Sequence, residues 1–119
     1  MTNYPLPTEF LFITDPGHGW LVTDADVVNS VGLSILEFSN CSFQWEGMLF
    51  LEEDCDATLF LLAYEATTGR KPELDFKDVD TFDRNKPRLP GTHHTFEGWM
   101  QKCKALDLLI ASAKLAGAA

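Results

Sequence analysis

The chain is divided sharply by charge. Residues 1–69 contain eleven acidic residues and neither lysine nor arginine, and all nine lysines and arginines follow from Arg70 onward. An acidic stretch of this kind either leaves an uncompensated negative surface or pairs with the basic residues further along the chain. The imbalance disfavours direct binding of nucleic acid, because phosphate binding draws on clustered basic side chains. It favours a protein partner with a basic surface.

Length and composition set the class of fold. A chain of 119 residues predicts one domain over residues 1–119, because two cores would each be too small to stand alone. The apolar runs are far shorter than the roughly 20 residues needed to cross a bilayer, and no lysine or arginine precedes the first of them. We therefore expect a cytoplasmic protein with neither a membrane span nor a secretory signal.

Turn residues divide the chain into short predicted elements. Runs of β-forming residues predict strands at residues 9–14, 20–23, 35–45 and 48–51. Capping and stop signals predict helices at residues 25–31 and 57–68, the second of which is apolar over most of its circumference and ends at Gly69. Residues 70–91 contain three prolines and predict a long excursion with one edge strand near residues 74–79.

The C-terminal residues carry a helical pattern. Apolar residues recur at helical spacing from Thr95 onward and predict an amphipathic helix of about five turns. Trp99 and Met100 would anchor this helix, either against the sheet or against a second copy of the chain, so a homodimer through the helix stays open. The predicted fold is α+β, with a small antiparallel sheet of three to four strands packed against two main helices and a C-terminal amphipathic helix.

The loop after the first predicted strand is the most unusual local sequence, since it reads Asp15-Pro-Gly-His-Gly-Trp20. Glycines on both sides of His18 leave its imidazole uncrowded, as a ligand-facing or proton-transferring histidine requires. The same residues also suit a tight hairpin in which Asp15 caps the turn and His18 is solvated. Both interpretations stay open, and His18 and Trp20 are candidate binding residues.

Four carboxylates crowd into five residues before the second predicted helix, at Glu52, Glu53, Asp54 and Asp56. Oxygen-rich clusters can hold a hard divalent cation, and a nearby His18 would suit a transition metal. The spacing, however, matches neither a calcium loop nor a zinc-protease motif. Acids also stabilise the start of a helix, with Asp54 or Asp56 as the N-cap. We prefer the capping role and expect neither a metal nor a cofactor.

The cysteines and the basic residues offer weaker signals. Three cysteines with wide spacing and no C-x-x-C pair predict small buried side chains or weakly reactive thiols rather than disulfides or metal ligands. Three bases lie within five residues, at Arg84, Lys86 and Arg88. An arginine fork suits a phosphate or carboxylate ligand, but these bases would equally neutralise the acids of residues 52–56 inside the fold. Both alternatives stay open, and Arg84 and Arg88 join Trp99 as candidate binding residues.

Three successive motifs resemble those of a family of small uncharacterised proteins carried by bacteriophages and plasmids, namely Asp15-Pro-Gly-His-Gly-Trp-Leu21, Leu51-Glu-Glu-Asp-Cys-Asp-Ala57, and Arg84-Asn85 with Pro87-Arg88. The resemblance covers roughly residues 10–89. It implies a genomic context rather than a reaction, and residues 92–119 form an extension beyond the family-like core. It marks as positions worth testing His18, Trp20, Glu52, Glu53, Asp54, Asp56 and Arg84.

These features predict a small acidic protein of phage or mobile-element type that binds a host protein in the host cell cytoplasm. Acidic side chains can occupy a surface meant for phosphate, so inhibition of a host defence or nucleic-acid-handling complex is the expected use. The common enzymatic motifs are missing from the sequence, which favours a non-enzymatic role. The alternative is a metal-dependent hydrolase or nucleotide-modifying enzyme that uses His18 and the acids of residues 52–56, with Arg84 orienting an anionic substrate.

Overall fold

The protein is an α+β fold built on one five-stranded mixed sheet. The structure, a computed structural model, describes residues 6–83 and 85–118. Its strands are β1 (Glu9–Asp15), β2 (His18–Thr23), β3 (Phe43–Trp45), β4 (Met48–Glu52) and β5 (Glu73–Asp78). Its helices are α1 (Ala25–Ser30), α2 (Asp56–Thr68) and α3 (Phe96–Ala118). None of the helices in this part of the chain is long and apolar enough to span a membrane.

The strand order is β3-β4-β2-β1-β5. All neighbours pair antiparallel except β1 and β5, which run parallel with Phe12 opposite Phe76. The expectation of an antiparallel sheet with three to four strands is therefore corrected to a mixed sheet with five. The physical reason is that α2 joins β4 to β5 as a crossover, and a crossover returns the chain to the sheet in the parallel sense.

One face of the sheet packs against α2. The ring of Phe10 on β1 meets the rings of Phe60 and Tyr64 edge to face, with centroid distances of 5.2 and 5.5 Å. Leu21 and Leu51 stand opposite each other on β2 and β4, and both are fully buried in the same core. The predicted helix at residues 57–68 therefore buries much of its apolar circumference in the core.

The ends of α2 differ slightly from the predicted ones. The helix begins at Asp56, and its N-cap is Cys55 rather than Asp54 or Asp56. Cys55 makes no side-chain capping hydrogen bond, and the prediction of Asp54 or Asp56 as the N-cap is wrong. At the other end Gly69 is the C-cap with φ of 81°, a left-handed conformation that a residue without Cβ adopts at little cost.

Residues 79–90 cross the face of the sheet that α2 leaves open. At one edge the Val79 N–H donates to the Thr14 carbonyl at 2.8 Å, beside the end of β5. At the other edge the Leu89 N–H donates to the Ser42 carbonyl at 3.0 Å, beside the start of β3. We call these residues, as far as the structure describes them at 79–83 and 85–90, the crossing segment, and its two ends are hydrogen-bonded at the two edges of the sheet.

An aromatic cluster fills the space beneath the crossing segment. Trp20 alternates with Leu21 along β2 and so faces away from α2. Its indole lies 5.1 Å from the ring of Phe82 between centroids, and Phe43 and Phe50 stack at 5.0 Å beside them. Phe82 thus anchors the crossing segment on a second apolar cluster, separate from the core under α2.

The predicted strand at residues 35–45 is wrong over most of its length, because only Phe43–Trp45 is a strand. Ser34 instead caps a single 3-10 turn at Ile35–Glu37. The Glu37 carboxylate returns to accept a hydrogen bond from the Ser34 N–H at 2.8 Å, which completes a capping box. These local hydrogen bonds outweigh the β propensity of the apolar residues.

The C-terminal helix α3 lies against α2 rather than across the sheet. It has 23 residues, which make about six turns and exceed the predicted length. Its half-buried residues facing the core include Trp99, Cys103 and Leu106. Its outer side exposes leucines at 69%, 59% and 76% of their surface, at Leu108, Leu109 and Leu115.

Candidate functional site

The ends of four strands gather six acidic residues at one end of the sheet. β1, β4 and β5 run in the same direction and finish there, and β2 begins there. The four strands span about 14 Å, at about 4.8 Å for each spacing. We call this region the acidic end, and its carboxylates belong to Asp15, Glu52, Glu53, Asp54, Asp78 and Asp80.

The structure brings the His18 loop and the acidic run together. Trp20 pairs with Glu52 across β2 and β4, and the Glu53 N–H donates to the Gly19 carbonyl at 3.0 Å. A Cβ atom on Gly19 would lie only 2.9 Å from Glu53 Oε2. It would also lie 2.7 Å from Cε1 of the buried Phe12 ring, so a side chain at position 19 would clash with the core as well as with the Glu53 carboxylate, which explains a glycine there.

The His18 loop forms a tight hairpin, one of the two arrangements that the sequence left open. Asp15 pairs with His18 across a turn in which Gly17 adopts φ of 94°. The half-exposed imidazole lies with Nδ1 3.5 Å from the buried Asp15 carboxylate, and its ring stacks on Trp20 at 5.7 Å. The Phe82 N–H donates to the other Asp15 oxygen at 3.3 Å, so Asp15 also holds the crossing segment.

Lysines of the described part compensate acids elsewhere on the protein. Among residues 6–83 and 85–118, lysine–carboxylate pairs at 3.3 to 3.5 Å join Lys86 to Asp83, Lys102 to Glu37 and Lys114 to Glu65. None of these pairs involves a carboxylate of the acidic end. The negative charge at that end is therefore not neutralised by any described lysine or arginine.

The basic segment does not neutralise the acidic run through its described residues. The Arg88 guanidinium donates to the backbone carbonyls of Asn40 and Cys41 at 3.4 and 3.3 Å. Lys86 lies with Nζ 4.0 Å from the centroid of the Trp45 ring, a cation–π contact. Arg84, the third predicted base, lies outside the described residues.

Crowding of negative charge alters the proton affinity of Glu52. Partial burial raises the pKa of this carboxyl group, and the neighbouring carboxylates of Asp54 and Asp56 raise it further. The Asp54 N–H opposes the shift by donating to Glu52 Oε2 at 3.1 Å. A cation placed beside Glu52 would favour its ionised form and so act against this upward shift of the pKa.

Asp56 is a buried structural residue rather than part of the exposed acidic end. It is completely inaccessible, and its carboxylate accepts hydrogen bonds from the Ser39 N–H at 2.9 Å, from the Ser39 hydroxyl at 2.8 Å and from the Ser42 hydroxyl. Asp56 therefore ties residues 39–42 to the first turn of α2. It cannot present its carboxylate to a partner protein.

The two tryptophans predicted to bind a partner also hold the fold. Trp20 is 2% exposed, because the crossing segment covers it. Trp99 is half-buried, and its indole N–H donates to the Cys55 carbonyl at 2.8 Å, which fastens the first turn of α3 to the start of α2. Of the predicted site residues, His18, Glu52, Glu53 and Asp54 remain accessible at the acidic end.

A second cluster of titratable groups was not predicted. Donor atoms of Cys55, Asp56 and His94 lie within 4.8 Å of one another, and among the described residues this is the one set of three or more His, Cys, Asp or Glu side chains so arranged. Burial raises the pKa of the Cys55 thiol to about 12, and the Asp56 carboxylate adds to the shift. The predicted set of His18 with the acids of residues 52–56 does not converge in this way.

Comparisons with models of known protein families, with curated proteins and with solved structures find no match. The function of this protein therefore has to be argued from its own surface. Two features of the structure are candidate binding sites, namely the acidic end and the cluster around Cys55.

Proposed function

We propose that the protein acts by binding a partner protein with a basic surface, and that the acidic end is the binding site. The observation that carries the proposal is the charge at that end. In the described part of the chain, no lysine or arginine forms an ion pair with the acids of residues 52–54, with Asp78 or with Asp80. Such a field attracts a basic surface and speeds association over a Debye length of about 8 Å.

The partner class that we propose is a host protein that handles nucleic acid. The acids at the ends of β4, β1 and β5 form a row of negative charge along the acidic end, as phosphates do along a nucleic acid strand. A basic groove that binds phosphates would accept this row, and the bound protein would then inhibit it. The resemblance to proteins of phages and plasmids fits an inhibitor that works in the host cytoplasm.

A direct test measures binding of a fluorescein-labelled oligoarginine peptide by fluorescence anisotropy at increasing NaCl concentration. The variant Glu52→Gln/Glu53→Gln/Asp54→Asn removes three charges from the acidic end. A matched control removes three exposed charges elsewhere, at Glu9, Asp26 and Glu97, by the same amide substitutions.

We expect the acidic-end variant to bind the peptide at least about tenfold more weakly and its affinity to depend less steeply on salt, whereas the control should keep an affinity near that of the wild type. The reason is that local charge, not net charge, would form the site. Equal weakening in both variants would show that only the net charge of the protein matters. Peptide binding that does not change with NaCl concentration would contradict the proposal.

Inhibition is tested with a basic DNA-binding protein bound to labelled duplex DNA. The wild-type protein should displace the DNA, and the acidic-end variant should displace much less at the same concentration. The matched control variant should act like the wild type. Failure of the wild type to release any DNA, despite binding the basic protein, would reject the inhibitory role and retain the binding role.

A further inference from the structure

We propose that Cys55, Asp56 and His94 form a site for one divalent transition-metal ion, and that zinc is the ion best suited to it. Their sulfur, carboxylate oxygen and imidazole nitrogen lie within 4.8 Å of one another. These are the three ligand types that zinc takes from proteins. The site uses none of the carboxylates of the acidic end and extends the protein beyond the binding role proposed above.

The start of α2 and the residues before α3 bring the three ligands together. Cys55 is the N-cap of α2, Asp56 is its first residue, and His94 lies in the turn that leads into α3. The Trp99 indole donates to the Cys55 carbonyl at 2.8 Å, which keeps the start of α3 against the start of α2. The ligands would move inward to roughly 3.5 Å apart around a tetrahedral ion, a shift of about 1 Å.

The imidazole of His94 is oriented by a hydrogen bond that suits a metal ligand. Its Nδ1 atom lies 3.3 Å from the Glu37 carbonyl oxygen. A carbonyl oxygen only accepts hydrogen bonds, so Nδ1 carries the proton and donates it, and Nε2 keeps a lone pair. Histidines that bind metals are commonly held in this tautomer by a backbone carbonyl.

The Asp56 carboxylate is also oriented by its neighbours and keeps one oxygen able to accept a further bond. Its Oδ2 atom accepts both serine hydroxyls, from Ser39 and Ser42, whereas Oδ1 has the Ser39 N–H at 2.9 Å as its close partner. Each carboxylate oxygen can accept about two hydrogen bonds, so Oδ1 retains a lone pair. Such supporting hydrogen bonds fix a ligand before the metal arrives.

Binding exchanges a proton for the ion. A sulfur–metal bond forms, the thiol proton leaves to water, and neither sulfur nor metal changes oxidation state. Three protein ligands leave one tetrahedral position, which a water molecule fills in many zinc sites.

The test uses Co²⁺ as a spectroscopic probe in the full-length, reduced protein after treatment with a chelator. A thiolate–cobalt charge-transfer band should grow and saturate at one ion per chain, and Zn²⁺ should then abolish it. The variants Cys55→Ser and His94→Gln each remove one ligand. We expect the first to lose the charge-transfer band and the second to bind at least tenfold more weakly.

Matched controls come from the same chain. Cys103→Ser and His93→Gln change the same residue types outside the cluster and should leave the cobalt titration unchanged. Circular dichroism of every variant confirms that loss of the band does not reflect unfolding. A wild-type protein that gives no charge-transfer band at millimolar Co²⁺, or a Cys55→Ser variant that keeps the band, would overturn the proposal.

Discussion

The carboxylate of Asp56 accepts a hydrogen bond from the backbone N–H of Ser39 at 2.9 Å, across 17 positions of the chain. The Ser39 and Ser42 hydroxyls complete the set of donors around this buried group. A single side chain therefore holds the irregular residues between α1 and β3 against the start of α2.

Replacing Asp56 with alanine should destabilise the protein by about 2 to 4 kcal/mol, because buried donors on Ser39 and Ser42 would lose their acceptor. The free energy of unfolding in urea measures the effect. Asp54→Ala, at an exposed neighbouring acid, serves as the control and should change stability by less than about 0.5 kcal/mol. Similar losses in the two variants would show that the buried hydrogen bonds contribute little.

Phe82→Ala should loosen the crossing segment, because this ring packs against Trp20 and Phe50. We expect a loss of about 2 kcal/mol in the free energy of unfolding and faster tryptic cleavage after Arg88, because Lys86 is followed by a proline and its bond resists trypsin. Phe96→Ala is the matched control, since that ring is 70% exposed. An unchanged cleavage rate in the Phe82 variant would mean that backbone hydrogen bonds alone hold the segment.

The turn between β3 and β4 allows opposite effects at adjacent positions. Glu46 has φ of 50°, a strained conformation for this residue, whereas Gly47 has φ of 81°. Glu46→Asn should stabilise the protein by about 0.5 kcal/mol, because asparagine tolerates this region better. Gly47→Ala should destabilise it by about 1 kcal/mol. Thermal unfolding should show a higher melting temperature for the first variant and a lower one for the second. Melting temperatures that shift in the same direction would contradict the prediction.

The Cys55 thiol should react slowly in the folded protein, because burial and the Asp56 carboxylate raise its pKa to about 12. In metal-free protein with Cys41 and Cys103 changed to serine, alkylation at pH 9 should be roughly a hundredfold or more slower than in urea. The folded state holds the Cys55 proton more tightly than the unfolded state does. The free energy of unfolding should therefore fall as the pH rises above the ordinary thiol pKa of about 9. Equal alkylation rates would contradict the burial argument.

The outer side of α3 tests the expectation of a homodimer. Leu108 and Leu115 are seven residues apart on this helix, and both are largely exposed. If two copies associate through them, sedimentation equilibrium should show a dimer that Leu108→Gln weakens and that Phe96→Gln, at an equally exposed ring, leaves intact. A monomer at every concentration would remove the homodimer from consideration.

Local patterns predicted the elements whose signals are confined to a few residues. Asp24 accepts a hydrogen bond from the Val27 N–H at 2.9 Å and caps α1, as its position before the apolar residues indicates. Gly69 ends α2 for the same kind of local reason. The edge strand β5 was also predicted nearly to its observed bounds.

What the sequence could not predict depends on contacts between distant residues. The parallel pairing of β1 with β5 places Asp78 and Asp80 at the acidic end, but an isolated acidic strand carries no sign of its partner. The meeting of Cys55 with His94 joins residues far apart in the chain, and no local pattern encodes it. The burial of Asp56 likewise depends on two serines that look like ordinary loop residues.

The crossing segment begins at β5 and finishes beside β3, the two outermost strands of the sheet. Neither edge strand can separate from the sheet without displacing the crossing segment, because this segment is hydrogen-bonded beside both of them. Partial opening of the sheet is therefore costly, and we expect the strands to be lost together in one cooperative transition.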